Sequence, residues 1–410
     1  MLSHLGEKYS PLYFLSSLGF GGMSIGFFMI FMHLTPHPKT PIPTLESIQA
    51  AWSTAGPIMK SAIVIGYAGM FTFFAIHVAL LLWNLKEFAA FKRTAEYPKL
   101  LSSNAEITLM AIPLTLAMTV NGLFMAFATT TPNLWSVVEY LFPGALVAYG
   151  LTGVLALKYL AGYVKRILTA GFDFEGNGGL NQLLSGFSFA MVAVGFAAPA
   201  AMSDNKYTVL FGFAGALFFG VISAMLVAVF LPMGAMSMFR YKLTLQNSAT
   251  LWLMVPIMTL WAITFLRLRH GTHTLADAGA TALSKPLAPH SATSIMVMVV
   301  LGVALAIQLA FLMGGHAVMK KNGFYRRFVF SQENRTPAPF TLVCPGVALT
   351  VLGYFFLHVG LVKNGLLASG TPLYALAMVL IVAVQVATIG LMVVLTKNQL
   401  FPRPAEVRGA

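Results

Sequence analysis

The sequence predicts an all-α membrane protein with ten transmembrane helices, and three observations carry that prediction. Apolar residues make up 58% of the 410-residue chain and charged residues only 9%, which excludes an ordinary soluble domain. Ten apolar stretches, at 12–34, 61–83, 105–129, 135–157, 183–202, 207–231, 249–266, 293–319, 338–361 and 373–396, are each long enough to cross about 30 Å of hydrocarbon. With the N-terminus on the cytoplasmic side, 18 of the 25 Lys and Arg residues fall on cytoplasmic segments and 7 on outer loops. That asymmetry is the positive-inside signature and predicts that both termini are cytoplasmic.

The helices are expected as five hairpins in a single transmembrane domain, residues 1–410. The formal charge of +13 is explained by topology and anionic lipid headgroups, so the bilayer is the expected polyanionic partner and nucleic acid is not. One cysteine, Cys344, excludes an internal disulfide and any multi-thiolate metal site. The first helix is too long for a signal-peptide core and is expected to stay as an anchor. Pro36, Pro38, Pro41 and Pro43 mark an extended outer loop. The Gly-rich stretch 171–179 lacks the spacing of a calcium loop and reads as a connector.

Prolines separate the helices into two kinds. Pro113, Pro199, Pro256 and Pro345 fall inside the third, fifth, seventh and ninth, whereas the second, eighth and tenth have none. The fourth carries Pro143, and the sixth ends at Pro232. An internal proline removes a backbone hydrogen bond and kinks a helix, and in lipid the freed carbonyl must find a partner inside the protein or a water-filled cavity. The expectation is an inner ring of kinked odd helices within an outer ring of straighter even ones. The first helix substitutes Gly19, Gly21, Gly22 and Gly26, which permit close packing.

Ionisable groups inside the spans are few. Glu106 and Glu139 sit near helix starts and read as structural. With the seventh helix ending at Leu266, Arg267 opens an outer loop and no Asp, Lys or Arg remains at mid-depth, which predicts a path without a fixed cation. His33, His37, His270, His273, His290 and His358 lean to the outer side without metal-ligand spacing, so neither a metal nor a cofactor is expected. Cys344-Pro345, early in the ninth helix, is the sharpest chemical feature. A free cysteine there is either a small buried apolar group or a reactive thiol.

Several strings, in order and with matching spacing, resemble the tellurite-resistance/dicarboxylate transporter (TehA-like) family, which includes the plant slow-anion channels. Phe14–Gly19 (FLSSLG) resembles that family's first-helix FGIPLG, and Ala111–Met118 (AIPLTLAM) its third-helix ALIPITTM. Leu253–Pro256 (LMVP) resembles the seventh-helix LAP segment, and Leu391–Phe401 the last helix with its polar end. The resemblance implies odd helices around a central pore, a homotrimer with one pore per subunit, and residence in the bacterial inner (plasma) membrane. In the family a ninth-helix phenylalanine plugs the pore. The matching position here is Cys344, which leaves the pore open unless another ring closes it. The chain also departs at Ser17, where a proline is expected, and near Ser185, where the fifth-helix proline is missing. A TsoY-like (seleno)protein branch, with cysteine or selenocysteine in such a helix, is also similar.

The leading expectation is therefore a channel or facilitator for small inorganic anions, extending to oxyanions of sulfur, selenium or tellurium, and not an enzyme. Its expected pore-lining residues are Ser16, Ser17, Thr115, Ser185 and Thr341 as hydroxyls, Pro113, Pro256 and Pro345 as openings in the backbone, and Cys344 at the constriction. Two alternatives stand beside it. One is a membrane thiol protein that handles sulfur or selenium through Cys344, and the other is an ion-coupled dicarboxylate transporter dependent on Glu106 or Glu139.

Overall fold

The computed structural model describes residues 2–277 and 292–401, and among these every regular element is a helix. Ten of them are long and apolar enough to cross a membrane. They are α1 (Pro11–Leu34), α2 (Pro57–Phe91), α3 (Asn104–Thr130), α4 (Val138–Ala170), α5 (Leu183–Met202), α6 (Lys206–Tyr241), α7 (Leu245–Thr272), α8 (Ile295–Lys321), α9 (Ala338–Val362) and α10 (Pro372–Leu400). The short helix Leu45–Thr54, closed by a Thr44/Ser47 capping box, lies between α1 and α2.

Burial divides the ten into two sets. In the most apolar stretch of α1, α3, α5, α7 and α9, between 67% and 100% of the residues are buried; in the even helices the share is 22–28%. The even faces are covered instead by exposed Leu, Val, Phe and Met, such as Leu151, Phe218, Met225 and Leu380, as a lipid-facing surface requires. Each even helix packs against its hairpin partner and also against the next odd helix. Among the odd helices, α1 touches α3, α3 touches α5, α5 touches α7, α7 touches α9, and α9 touches α1. Gly19 and Gly22 make the α1–α9 approach possible: a Cβ at Gly19 would stand 2.6 Å from Val343 Cγ1, and one at Gly22 3.1 Å from Val347 Cγ1.

The prolines mark a change of helix type at the starts of these helices. Four of the five odd helices begin with a 3₁₀ segment: Pro11–Tyr13, Asn104–Met110, Leu245–Trp252 and Ala338–Leu342. The α-helical parts of α3, α7 and α9 then start at Ala111, Met254 and Val343, which makes Pro113, Pro256 and Pro345 the third residue of each. A missing N–H is least costly in a first turn, where i−3 and i−4 acceptors compete and the donors lack a full set of partners anyway. The corresponding third residues of the α-helical parts of α1 and α5 are Ser16 and Ser185. Their hydroxyls donate back to the carbonyls of Tyr13 (2.7 Å) and Gln182 (2.6 Å). Pro199 does lie inside α5, three residues from its end.

The seventh helix outlasts its apolar stretch. Helical backbone continues without a break from Met254 to Asp277, so the outer loop expected to open at Arg267 begins at least ten residues later.

Candidate functional site

Three cavities follow one another along the buried helices. The near chamber, about 30 Å³, lies where the odd helices begin and is bordered by Leu15 (α1), Thr108 (α3), Leu184 (α5), Leu253 (α7) and Thr341 (α9). The middle chamber, about 120 Å³, takes residues from the same five helices, among them Leu18, Met118, Phe187, Pro256 and Cys344. The far chamber, about 90 Å³, is walled by α1, α3, α4, α5 and α7, including Phe28, Phe124, Tyr149 and Pro199. At about 30 Å³ per water, the middle and far chambers have room for roughly four and three waters, the near one for about one.

The middle and far chambers share Ile25, Asn121 and Arg267 as wall residues, so they adjoin. The near and middle chambers share none. Between them, four helices advance by one turn: Leu15 to Leu18, Leu184 to Phe187, Leu253 to Pro256, and Thr341 to Cys344. Along these four helices the layer corresponds to three residues, about 4.5 Å of rise, whereas α3 runs from Thr108 to Met118 across it. The layer is apolar except for Thr341 and the thiol, and its side chains are buried, with Leu18 and Phe187 at 1% and 2% exposure. Phe187 is its one aromatic ring. Cys344 is buried and unpaired, on the middle-chamber side of the layer.

The hydroxyls singled out from sequence turn mostly to backbone. Ser16 and Ser185 donate to carbonyls in their own first turns, as described. Thr115 donates to the carbonyls of Ala111 (2.7 Å) and Phe14 (3.2 Å), binding α3 to α1. Ser17 faces α2: its Oγ donates to the His77 carbonyl (2.8 Å) and lies 3.0 Å from His77 Nδ1. None of these four, nor Pro113 or Pro345, borders the middle chamber; Cys344 and Pro256 do, and Thr341 borders the near one. A hydroxyl in a low-dielectric interior gains more from a nearby carbonyl than from an apolar cavity: Ser16, Ser185 and Thr115 find one at i−3 or i−4, and Ser17 finds one on α2.

Two polar groups at the chamber junction and one buried away from the chambers were not evident from sequence. Arg267 lines both the middle and far chambers, its Nη1 donating to the Val194 carbonyl at 2.8 Å, and it forms no ion pair among the described residues. The middle and far chambers therefore have a fixed cation in their walls, contrary to the expectation from sequence. Asn121 stands at the same junction; its Oδ1 accepts from the Tyr149 hydroxyl at 2.8 Å and its Nδ2 lies 3.5 Å from Met191 Sδ. His77, in mid-α2, is fully buried and bonds both Ser17 and Thr119 (Nε2 to Oγ1, 2.9 Å). A lone histidine in an even helix gave no sign of this.

The carboxylates and remaining histidines lie elsewhere. Glu106 pairs with Arg166 of α4 at 3.0 Å, and Glu139 accepts from Ser203 Oγ (2.6 Å) and the Asp204 N–H (2.7 Å). His33 and His358 stack with ring centroids 4.6 Å apart, and His358 Nε2 meets the Tyr374 hydroxyl at 3.1 Å. The His273 side chain and His290 lie outside the described residues. Set against known proteins, the chain matches no family model, no curated protein and no solved structure.

Proposed function

We propose that this chain is a channel or facilitator for small anions, with the five odd helices ringed around a conduction path and the even helices facing lipid. The observation that carries the reading is the middle chamber, to which all five odd helices contribute wall. In this reading the near chamber opens toward the cytoplasm, where both termini lie. The ten-helix frame, the third- and seventh-helix strings and the Cys344 position favour a TehA-like relationship, and a homotrimer with one path per subunit follows from it.

The layer between the near and middle chambers is the closed gate. An anion crossing it would shed water against Leu18, Phe187 and Leu253 with no acceptor-binding group beyond Thr341 and the Cys344 thiol, and that dehydration sets the barrier. Cys344 leaves space where a ring would plug the path, and Phe187, one turn into α5, supplies a ring from a different helix. No histidine, lysine or carboxylate borders the middle chamber beside Cys344, which disfavours thiol chemistry with an adjacent base.

Flux of chloride, nitrate, sulfite, thiosulfate, selenite and tellurite into proteoliposomes tests the proposal. Anion-dependent flux that falls in Cys344→Phe and survives in Cys344→Ala supports a path past Cys344. No flux for any anion, or equal loss in both variants, sinks it and turns attention to the thiol.

A further inference from the structure

The junction of the middle and far chambers presents hydrogen-bond donors and very little else. Arg267 reaches it from α7. Its guanidinium is anchored by one bond to the Val194 carbonyl, which is its single protein hydrogen bond among the described residues, and most of its five N–H donors remain for a ligand. Asn121 reaches the same place from α3, and its orientation follows from a neighbour: the Tyr149 hydroxyl, on α4, occupies the Asn121 carbonyl oxygen. That leaves the Asn121 amide hydrogens, whose protein contact is the Met191 sulfur at 3.5 Å, a weak acceptor. The rest of the shared wall is apolar, with Ile25 facing both chambers.

A half-buried cation without a carboxylate is costly unless something compensates it. Here the protein supplies one backbone carbonyl. The complement to a guanidinium and an amide N–H₂, with the nearest side-chain acceptor already taken, is a ligand that only accepts hydrogen bonds and carries negative charge.

We propose that Arg267 and Asn121, the latter oriented by Tyr149, form a binding site for a small singly charged anion of halide or nitrate size. The anion's route rests on the conduction reading above; its binding does not. The class follows from charge and space. One guanidinium balances one negative charge, whereas a dicarboxylate would leave its second carboxylate against Ile25, Met118 or Phe124. Chambers of about 90 and 120 Å³ hold a few-atom anion with part of its water. The bond to Val194 fixes the guanidinium at the wall, so an arriving anion meets an oriented donor pair.

The test uses the purified full-length protein in detergent with sodium nitrate as probe, sodium gluconate as the ionic-strength control, and binding read by calorimetry. Wild type should bind nitrate saturably, and Arg267→Gln should lose about ten- to a hundredfold in affinity, the effect of one charge-assisted hydrogen bond. Arg267→Lys should keep part of the affinity, because the charge stays while the anchoring geometry changes. Tyr149→Phe, which frees the Asn121 carbonyl without touching the cation, should weaken nitrate binding severalfold, and it decides the matter if Arg267→Gln does not fold. Nitrate affinity equal to wild type in Arg267→Gln or Tyr149→Phe overturns the site, and succinate binding tighter than nitrate overturns its class. The two readings fail separately. Nitrate binding that depends on Arg267 in a protein with no anion flux keeps the site and removes the channel. Anion flux in a protein whose nitrate affinity is unchanged in Arg267→Gln keeps the channel and removes the site.

Discussion

Replacing Phe187 with alanine should open the path. The ring borders the middle chamber from the α5 turn that follows Leu184, a wall residue of the near chamber. Removing it leaves a void on the order of 100 Å³, whose cavity term of about 2.4 kcal/mol adds to the lost transfer free energy of the ring, for a total of about 3–5 kcal/mol. That void has room for about three waters. It would join chambers of about 30 and 120 Å³ into one water column. Lowering the dehydration barrier by only ~1.4 kcal/mol raises the rate tenfold, so flux should rise at least that much. The assay is chloride or nitrate entry into proteoliposomes, alongside thermal unfolding in detergent to confirm the expected loss of stability and a wild-type elution profile. Phe187→Trp, which adds bulk at the same place, should lower flux below wild type. A folded Phe187→Ala protein with wild-type flux would refute the argument, because the ring would then seal nothing.

Three further predictions concern the surroundings. Glu106→Gln should lower the thermal midpoint by leaving Arg166 buried without its carboxylate, at about 3 kcal/mol or less because both partners keep some exposure, while flux stays unchanged; lost gradient dependence in a stable variant would restore the coupled-exchanger reading. Gly195→Ala should weaken nitrate binding without touching a ligand group, since the new Cβ overlaps the Tyr149 ring and displaces its hydroxyl from Asn121; nitrate affinity equal to wild type in a folded variant counts against that route. Glu46, in the short helix after α1, accepts the Asn133 N–H, and this bond holds its carboxyl below the usual carboxylate range. Its contribution to docking that helix is therefore present above the unfolded value of about 4.3 and is lost as pH falls through the lower folded value, so cleavage of the 35–56 segment by an acid-active protease should rise below about pH 4 and should already be high in Glu46→Gln at neutral pH.

The division into buried odd and exposed even helices was legible in the sequence because of a chemical asymmetry. A helix surrounded by protein can carry Ser, Thr, Gly and early prolines, whereas α6, α8 and α10 face outward with mean hydropathies of 2.5–2.7 and little else. The reason attached to the prolines was less accurate. Pro113, Pro256 and Pro345 occur at the one place in each helix where a missing N–H costs least, so their regular spacing records a repeated 3₁₀-to-α switch; nothing in a linear string separates that from a mid-helix kink. The hydroxyls of Ser16, Ser17, Thr115 and Ser185 turn from the middle chamber for a related reason, since sequence periodicity gives the face of a side chain without saying whether a carbonyl, of its own helix or a neighbour, has already claimed it.

Arg267 is the most instructive miss. The apolar run of the seventh helix ends at Leu266 because Arg267, Arg269 and His270, which follow, are too polar for lipid. Yet α7 is buried and never has to face lipid, so the limit on its length is packing against α5 and α9, and the backbone stays helical to Asp277. The extension turns a residue that would have been an unremarkable loop cation into part of the chamber wall, with Val194 of α5 as its anchor. The same logic applies to His77 in reverse. It lies in a helix that is mostly exposed, but on the face that meets α1, where Ser17 takes the place at which a proline would leave nothing to donate. In both cases the polar group is tolerated because of which neighbour its face meets, and the boundary of an inner helix is better sought where its last partner ends than where its apolar run does.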